Sequence, residues 1–247
     1  MSCNSINIEK YGKSDQQFFE LYYPDNVKNI QGGVVLIHGG YWRAKFNLEL
    51  MHDLASNLVA QGWVVANLEY RRLGNGGGWP ITIEDVKEGV HKAHSLLKAA
   101  CDEKPIIGIG HSVGGQLVLL AHHQLDAVIA LAPVTDLTRA YHERLGDDAV
   151  SEFMVHPPSE IEDDYAEASP MSQLPIGVPA LIIHGDNDDR VPVTHSRDFF
   201  TEARAVSKNI RFWEIPGLDH FDIINPATSF WSDTHDWMLK IPISLTA

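Results

Sequence analysis

Short apolar runs alternate with segments of helical periodicity along most of this chain, and the alternation limits the folds that it can adopt. Runs such as Val34–Ile37 are apolar throughout, as strands covered by helices on both faces must be. The runs predicted to be strands are Gln17–Tyr23, Val34–Ile37, Val64–Tyr70, Ile106–Ile109, Ala127–Leu131, Ala180–Ile183 and Ile210–Ile215. The pattern predicts an α/β fold, with a mostly parallel central sheet flanked by helices on both faces.

The length of 247 residues is sufficient for a substantial core, and we expect a single domain over residues 1–247. The alternation is interrupted by an insertion at about residues 134–178, which is acidic and contains prolines. Such an insertion forms either a small cap over the carboxyl ends of the strands or a solvated surface excursion. The sequence favours neither interpretation.

The net negative charge argues against nucleic acids and anionic membranes as partners. The chain has 33 acidic and 19 basic residues, a formal charge of −14, whereas nucleic acids and anionic membranes are bound through clustered Lys and Arg. Its two cysteines, Cys3 and Cys101, form neither a disulfide framework nor a metal-binding spacing. The sequence shows no signal peptide and no apolar run of about 18 residues. We therefore expect a cytoplasmic protein that acts on a small-molecule substrate without a cofactor or metal; a homodimer is compatible with the sequence.

A strand, a sharp turn and a helix are predicted to meet at one serine. The segment Gly110–Gly114, with the sequence GHSVG, follows the run Ile106–Ile109 and leads into a helical segment. This is the context of a nucleophile elbow, in which flanking glycines leave room for a strained turn that exposes a hydroxyl. Small residues also cluster in ordinary strand-to-helix turns, so the motif alone is weak evidence. Ser112 is the candidate nucleophile.

A serine nucleophile needs a base to take its proton and a carboxylate to orient that base. Asp186, Asp188 and Asp189 follow the run Ala180–Ile183, and the pattern HGxxDxxVP selects Asp188 among them. His220 follows the last predicted strand, within the turn sequence GLDHF. The chain order Ser, Asp, His is that of the α/β-hydrolases. Asp188 and His220 are therefore the candidate acid and base.

Attack on a carbonyl creates an oxyanion, and loss of one of its hydrogen-bond donors typically costs roughly 2.7–4 kcal/mol. The run Val34–Ile37 ends in the sequence HGGYW, whose glycines allow close approach of the backbone to a substrate. We expect one donor to be the N–H of Gly40 or Tyr41 and the other to be that of Val113. The His and Trp of this sequence are expected to support the loop.

Aromatic side chains near the expected site can stack on an aryl substrate. Trp79 and Phe221 are the candidates for substrate binding, and packing in the core or at the rim is the alternative for each. Arg71 and Arg72 follow the run Val64–Tyr70. They either anchor a substrate carboxylate or support a loop through salt bridges.

The segments HGGYW, GHSVGG, HGDNDDRVP and GLDHF, in this order, resemble the α/β-hydrolase superfamily across nearly the whole chain. Within it, the HGGxW loop resembles that of the kynurenine formamidases (arylformamidases); related small carboxylesterases use similar loops. The resemblance implies hydrolysis of N-formylkynurenine to kynurenine and formate, a step of tryptophan catabolism, through a formyl-enzyme on Ser112. It also implies a triad of Ser112, Asp188 and His220. The alternatives are a general short-chain carboxylesterase and a non-catalytic ligand-binding protein of the same fold.

Overall fold

An eight-stranded sheet runs through the part of the chain that the computed structural model describes, residues 6–26 and 29–242. Its strands are β1 (Asn7–Lys10), β2 (Phe18–Tyr22), β3 (Gly32–Ile37), β4 (Trp63–Leu68), β5 (Ile106–His111), β6 (Ala127–Leu131), β7 (Ala180–Gly185) and β8 (Ile210–Ile215). The helices are α1 (His52–Ala60), α2 (Ile81–Ala100), α3 (Val113–Leu120), α4 (Leu137–His142), α5 (Leu145–Met154), α6 (Glu162–Ala168), α7 (Thr194–Val206) and α8 (Phe230–Met238).

The strand order is β1-β2-β4-β3-β5-β6-β7-β8. β2 pairs antiparallel with β1 and with β4. The other six strands, β3 to β8, are parallel to one another. In the parallel part, Ile37 of β3 lies opposite Gly110 of β5, and His111 lies opposite Leu131 of β6. Because these strands end at the same edge, the segments that follow them meet there.

Helices cover both faces of the sheet. Val35 of β3 belongs to one apolar cluster, together with side chains from α2, α3 and α7, whereas Leu36 belongs to a second cluster with side chains from α1 and α8. This division follows from the alternation of side chains along a strand. All residues of β3 to β7 are buried, which confirms the predicted α/β fold with helices on both faces.

Seven of the strands correspond to the predicted runs, but β1 has no sequence signal. Its residues are exposed or half-buried at the edge of the sheet, so the apolar pattern of a buried strand is absent. Cys101 is buried at the end of α2, and Cys3 lies outside the described residues. Among the described helices, none is long and apolar enough to span a membrane.

The segment predicted as an insertion lies between β6 and β7 and contains α4, α5 and α6. A short segment at the start of α5, residues 144–148, departs from helical geometry. Arg144, Gly146, Asp147 and Asp148 have φ angles between 55° and 64°, in the left-handed region. We refer to residues 144–148 as the left-handed turn, and it contributes to the pocket described below.

Candidate active site

Ser112 occupies the sharp turn between β5 and α3, with φ 58° and ψ −119°. A positive φ is unfavourable for a residue with a side chain and persists only where the surroundings enforce it. A Cβ atom on Gly110 would lie 2.0 Å from the carbonyl oxygen of Gly114, and one on Gly114 would lie 2.1 Å from that of Ile37. Both glycines are therefore sterically required, and the turn has the geometry of a nucleophile elbow.

Asp188 and His220 are in direct contact. His220 Nδ1 donates a hydrogen bond of 2.6 Å to Asp188 Oδ2, and Asp188 Oδ1 accepts the backbone N–H groups of Arg190 and Val191 at 2.8 Å. Burial raises the pKa of Asp188, but hydrogen bonds from His184 and His220 and the charge of His220 outweigh it. The pKa of this carboxyl is therefore held well below its usual range, and it is ionised at neutral pH.

The two neighbouring carboxylates, of Asp186 and Asp189, make other contacts. Asp186 accepts the backbone N–H of Gly217 at 2.6 Å. Asp189 is largely exposed and lies 3.3 Å from the Arg190 guanidinium. Of the three candidates, Asp188 is the one that the structure brings to His220.

Ser112 and His220 line one pocket of about 200 Å³ at the carboxyl edge of the sheet. Tyr41, Phe46 and Phe221 give it aromatic walls. Both Ser112 and His220 are buried. Because Nδ1 of His220 is committed to Asp188, Nε2 is the ring nitrogen left for proton transfer.

The loop after β3 passes directly over Ser112. A Cβ atom on Gly39 would lie 2.9 Å from Cβ of Ser112, and Gly40 and Tyr41 line the pocket. Within residues 6–26 and 29–242, the backbone N–H groups of Gly40, Tyr41 and Val113 have no acceptor. Val113 begins α3, where N–H groups lack partners within the helix. All three predicted donors are thus free to bind an anion.

The structure separates the two predicted substrate-binding residues. Phe221 lines the pocket with 49% of its surface exposed. Trp79 is not part of the pocket wall, and that prediction is corrected. Its backbone N–H donates to the carbonyl of Phe153, and its side chain packs against the core at the start of α2. Packing explains Trp79, as in the alternative interpretation.

The arginine pair supports loops. Arg71 donates two hydrogen bonds, of 2.8 and 2.6 Å, to the carboxylate of Asp85. Arg72 is only 2% exposed, and its guanidinium lies 2.5 Å from Glu69. Arg72 therefore has no access to a substrate, and the salt-bridge interpretation describes both residues.

His111 is a part of the site that sequence reasoning does not identify. Its Nε2 donates to the backbone carbonyl of His220 at 2.9 Å, and the two rings lie 4.7 Å apart. Burial and the neighbouring His220 lower the pKa of His111 to about 3, so its ring stays neutral at working pH. The variable position of the elbow motif carries no signal for this contact.

Tyr41 connects three segments of the pocket wall. Its hydroxyl donates to the carbonyl of Arg190 at 2.9 Å, and a Cβ atom on Gly146 would lie 2.4 Å from its ring. Next to it, Arg43 donates to the carboxylate of Glu152 and to the carbonyl of Asp147. The left-handed turn is thus fastened to the loop after β3, and no short motif could have predicted this contact.

The parallel sheet, the elbow and the residues gathered at its carboxyl edge define an α/β-hydrolase fold. Within that class the chain belongs to the BD-FAE family, an esterase family of the α/β-hydrolase type, whose model matches residues 19–202.

Two curated relatives and one solved structure of similar fold carry the names of ester hydrolases. The chain is 29% identical to the "Probable carboxylic ester hydrolase LipM" of Mycobacterium tuberculosis, over 77% of this chain and 49% of that protein. It is 27% identical to "Esterase LipC" of the same organism, over 88% of this chain and 60% of that protein. The chain therefore spans about half the length of the curated relatives that it matches. A truncated carbohydrate esterase from gut microbiota shares the fold, with a TM-score of 0.80 and 20% identity over 96% of this chain and 95% of that one.

Proposed function

We propose that this protein is a serine hydrolase that cleaves a carboxylic ester with a small acyl group through an acyl-enzyme on Ser112. The observation that carries the proposal is that Ser112, in the elbow conformation, shares a pocket with His220, whose Nδ1 is bound to Asp188. The names of the relatives support a carboxylesterase better than an arylformamidase. The pocket volume of about 200 Å³ favours a short acyl chain.

In the acylation step, Nε2 of His220 takes the hydroxyl proton of Ser112 as Oγ attacks the ester carbonyl carbon. The electron pair of the carbonyl moves to its oxygen, and the backbone N–H of Val113, with that of Gly40 or Tyr41, stabilises the resulting oxyanion. The tetrahedral intermediate then collapses. The bond to the alcohol oxygen breaks, and the leaving alcohol receives the proton from His220.

Deacylation repeats these steps with water as the nucleophile. His220 takes a proton from water, hydroxide adds to the acyl carbon, and Ser112 leaves with the proton returned by His220. The carboxylate of Asp188 stabilises the imidazolium that forms in each half-reaction. It stays ionised throughout, because its hydrogen bonds keep its pKa far below neutral pH.

An arylformamidase is the second candidate. The aromatic side chains of Tyr41, Phe46 and Phe221 in the pocket wall favour an aryl leaving group, such as that of N-formylkynurenine. A formyl group would fit any pocket that accepts a short acyl chain. The chemistry at Ser112 would be the same, with an aryl amine in place of the alcohol.

One assay tests both candidates. We would compare kcat/KM for p-nitrophenyl acetate, p-nitrophenyl butyrate and N-formylkynurenine, using the wild-type protein and Ser112→Ala. We expect turnover of the esters and a loss of at least about 10³-fold in the variant. A preference of several orders of magnitude for N-formylkynurenine would favour the arylformamidase.

Equal turnover by Ser112→Ala would overturn both candidates. Failure of wild-type Ser112 to react with a fluorophosphonate probe, together with no turnover, would favour the non-catalytic ligand-binding protein. Circular dichroism of the variant controls for folding.

A further inference from the structure

A buried ionic cluster lies directly beneath the loop after β3. Its members, His38, Glu69 and Arg72, are 0%, 3% and 2% exposed. Glu69 Oε1 lies 2.5 Å from a terminal guanidinium nitrogen of Arg72 and 3.1 Å from His38 Nε2, and the same Arg72 nitrogen lies 3.0 Å from His38 Nε2. Burying charged groups costs several kcal/mol per ion and is often no net gain in stability, so such a cluster suggests a positional role.

The charged partners of His38 are themselves fixed. Glu69 accepts the backbone N–H groups of Tyr70 at 2.8 Å and Leu48 at 3.3 Å, and Arg72 donates to Gln16 at 2.7 Å. Burial raises the pKa of Glu69, but its interactions with His38 and Arg72 and the hydrogen bond from the backbone N–H of Tyr70 outweigh it and lower the pKa. Glu69 is therefore an ionised anchor for Arg72, whose guanidinium donates to Nε2 of His38.

The other ring nitrogen of His38 holds the backbone of the loop. Nδ1 lies 2.7 Å from the carbonyl oxygen of Gly39, and because that oxygen can only accept, Nδ1 carries a proton. Tyr70 stacks on the ring at 4.4 Å, and its hydroxyl donates to the carbonyl of His38 at 2.8 Å. The carbonyl groups of His38 and Gly39 are thus both held from beneath the loop.

Fixing one carbonyl fixes the next N–H. The carbonyl of Gly39 and the N–H of Gly40 belong to one planar trans peptide and point in opposite directions. Since the carbonyl points to His38, the N–H of Gly40 points away from the cluster, and Gly40 lines the pocket. Two adjacent glycines would otherwise allow this peptide to flip, which would bring a carbonyl oxygen where an oxyanion forms.

We propose that His38, held by Glu69 and Arg72, is a positioning residue that orients the Gly39–Gly40 peptide so that the N–H of Gly40 is the second oxyanion donor beside Val113. The inference rests on the proposed hydrolase function. Removal of one oxyanion donor typically lowers kcat by about 10²–10³-fold. Loss of the orienting contact has an effect of the same kind, on kcat more than on KM.

The test compares an oxygen ester with its thiono analogue, in which sulfur replaces the carbonyl oxygen. Sulfur accepts hydrogen bonds weakly, so a well-aligned donor pair favours the oxygen ester. The ratio of the two kcat/KM values does not depend on the fraction of folded enzyme. We expect His38→Phe, which retains the stacking on Tyr70, to lower this ratio at least about tenfold. Glu69→Gln is a second variant of nearly unchanged shape and should lower it less.

The chain provides a matched control in a second His–Glu–Arg cluster. His195 Nε2 lies 3.0 Å from Glu143, which also pairs with Arg139 at 2.7 Å, in contacts between α4 and α7. His195→Phe and Glu143→Gln should reduce stability without changing the ratio.

The possible outcomes separate the two proposals. If the wild type turns over the ester and the ratio is unchanged in both His38→Phe and Glu69→Gln, the positioning role of His38 is overturned and the hydrolase function is not. An equal fall of the ratio in the control variants would also overturn it. Absence of Ser112-dependent turnover in the wild type would overturn the hydrolase function, and the positioning role with it.

Discussion

His220 and Asp188 are joined by one hydrogen bond of 2.6 Å between Nδ1 and Oδ2, and their side chains are 4% and 1% exposed. The bond fixes the tautomer of His220, because the carboxylate accepts only from a protonated Nδ1. Two backbone N–H groups hold the second oxygen of Asp188, so its orientation is set by the loop and not by His220 alone.

Replacing Asp188 by Asn should therefore lower kcat for ester hydrolysis by about 10⁴-fold with little change in KM. The amide can donate to Nδ1 and so favours the wrong tautomer. Steady-state kinetics at neutral pH measure the effect. Asp189→Asn alters an exposed carboxylate in the same loop and should behave as wild type. Similar losses in the two variants would contradict the assignment of Asp188.

The same carboxylate should contribute to acid sensitivity. Burial raises its pKa, but the hydrogen bonds from His184 and His220 hold the folded-state value well below the usual range. Its stabilising effect is complete above the unfolded-state pKa of about 3.9 and declines as the pH falls below that value. The difference in unfolding free energy between wild type and Asp188→Asn should therefore shrink as the pH falls below about 4. Urea unfolding measures it, and a constant difference down to pH 3 would refute this prediction.

Phe221→Ala should raise KM for aryl esters more than for alkyl esters of the same acid. Its half-exposed ring lines the pocket and is available for stacking, an interaction of about 0.5–1.5 kcal/mol, or up to roughly tenfold in KM. Trp79→Phe is the matched control because Trp79 packs against the core and not in the pocket. If Trp79→Phe shifted the preference for aryl esters as much as Phe221→Ala, the assignment of Phe221 and not Trp79 to the pocket wall would be wrong.

Gly114→Ala should destabilise the protein by more than about 2 kcal/mol, because its Cβ atom would lie 2.1 Å from a backbone oxygen that cannot move freely. Gly177→Ala is the comparison, since the atom nearest to its Cβ would be 3.8 Å away. That variant should change stability by less than about 1 kcal/mol. The urea unfolding midpoints of the two variants, compared at the same dependence of the unfolding free energy on urea concentration, measure these changes. Equal midpoints would show that the elbow tolerates a side chain at Gly114.

Gly146→Ala should lower kcat by displacing Tyr41, whose ring lies 2.4 Å from the position of the added Cβ. Gly217→Ala carries the same kind of backbone cost, since the φ angles are 64° and 73°, but its Cβ meets nothing within 4 Å. Both variants should lose about 1 kcal/mol of stability from the left-handed backbone. Only Gly146→Ala should also lose activity. Equal kcat values would show that the contact with Tyr41 has no influence on the loop.

The sequence predicts what depends on periodicity and on short motifs. Val34–Ile37 and the other fully apolar runs identify buried parallel strands, and the spacing around Ser112, Asp188 and His220 identifies the ends of three of them. The pattern does not identify β1, because an exposed edge strand has no apolar alternation.

Contacts between distant segments are beyond the reach of such patterns. Trp79 lies in the loop after β4 and packs against the core, whereas Asp147 comes from an insertion and reaches the pocket. The partnership of His38 with Glu69 depends on the register between β3 and β4, which pairs Ile37 with Leu68 and so places the next residues side by side. Register is a property of the assembled sheet.

The pocket is built from two parts of the chain, the strand ends of the sheet and the left-handed turn. Ser112, His220 and the free N–H groups follow strand ends whose positions the core dictates, while the wall at Gly146 and Asp147 comes from a segment outside the sheet. Mutations in residues 144–148 can therefore reshape the space offered to a ligand while the residues on the strand ends stay unchanged. Through the contact of Gly146 with Tyr41, such mutations also act on the loop after β3, so this short segment links the shape of the pocket to the position of the N–H groups in that loop.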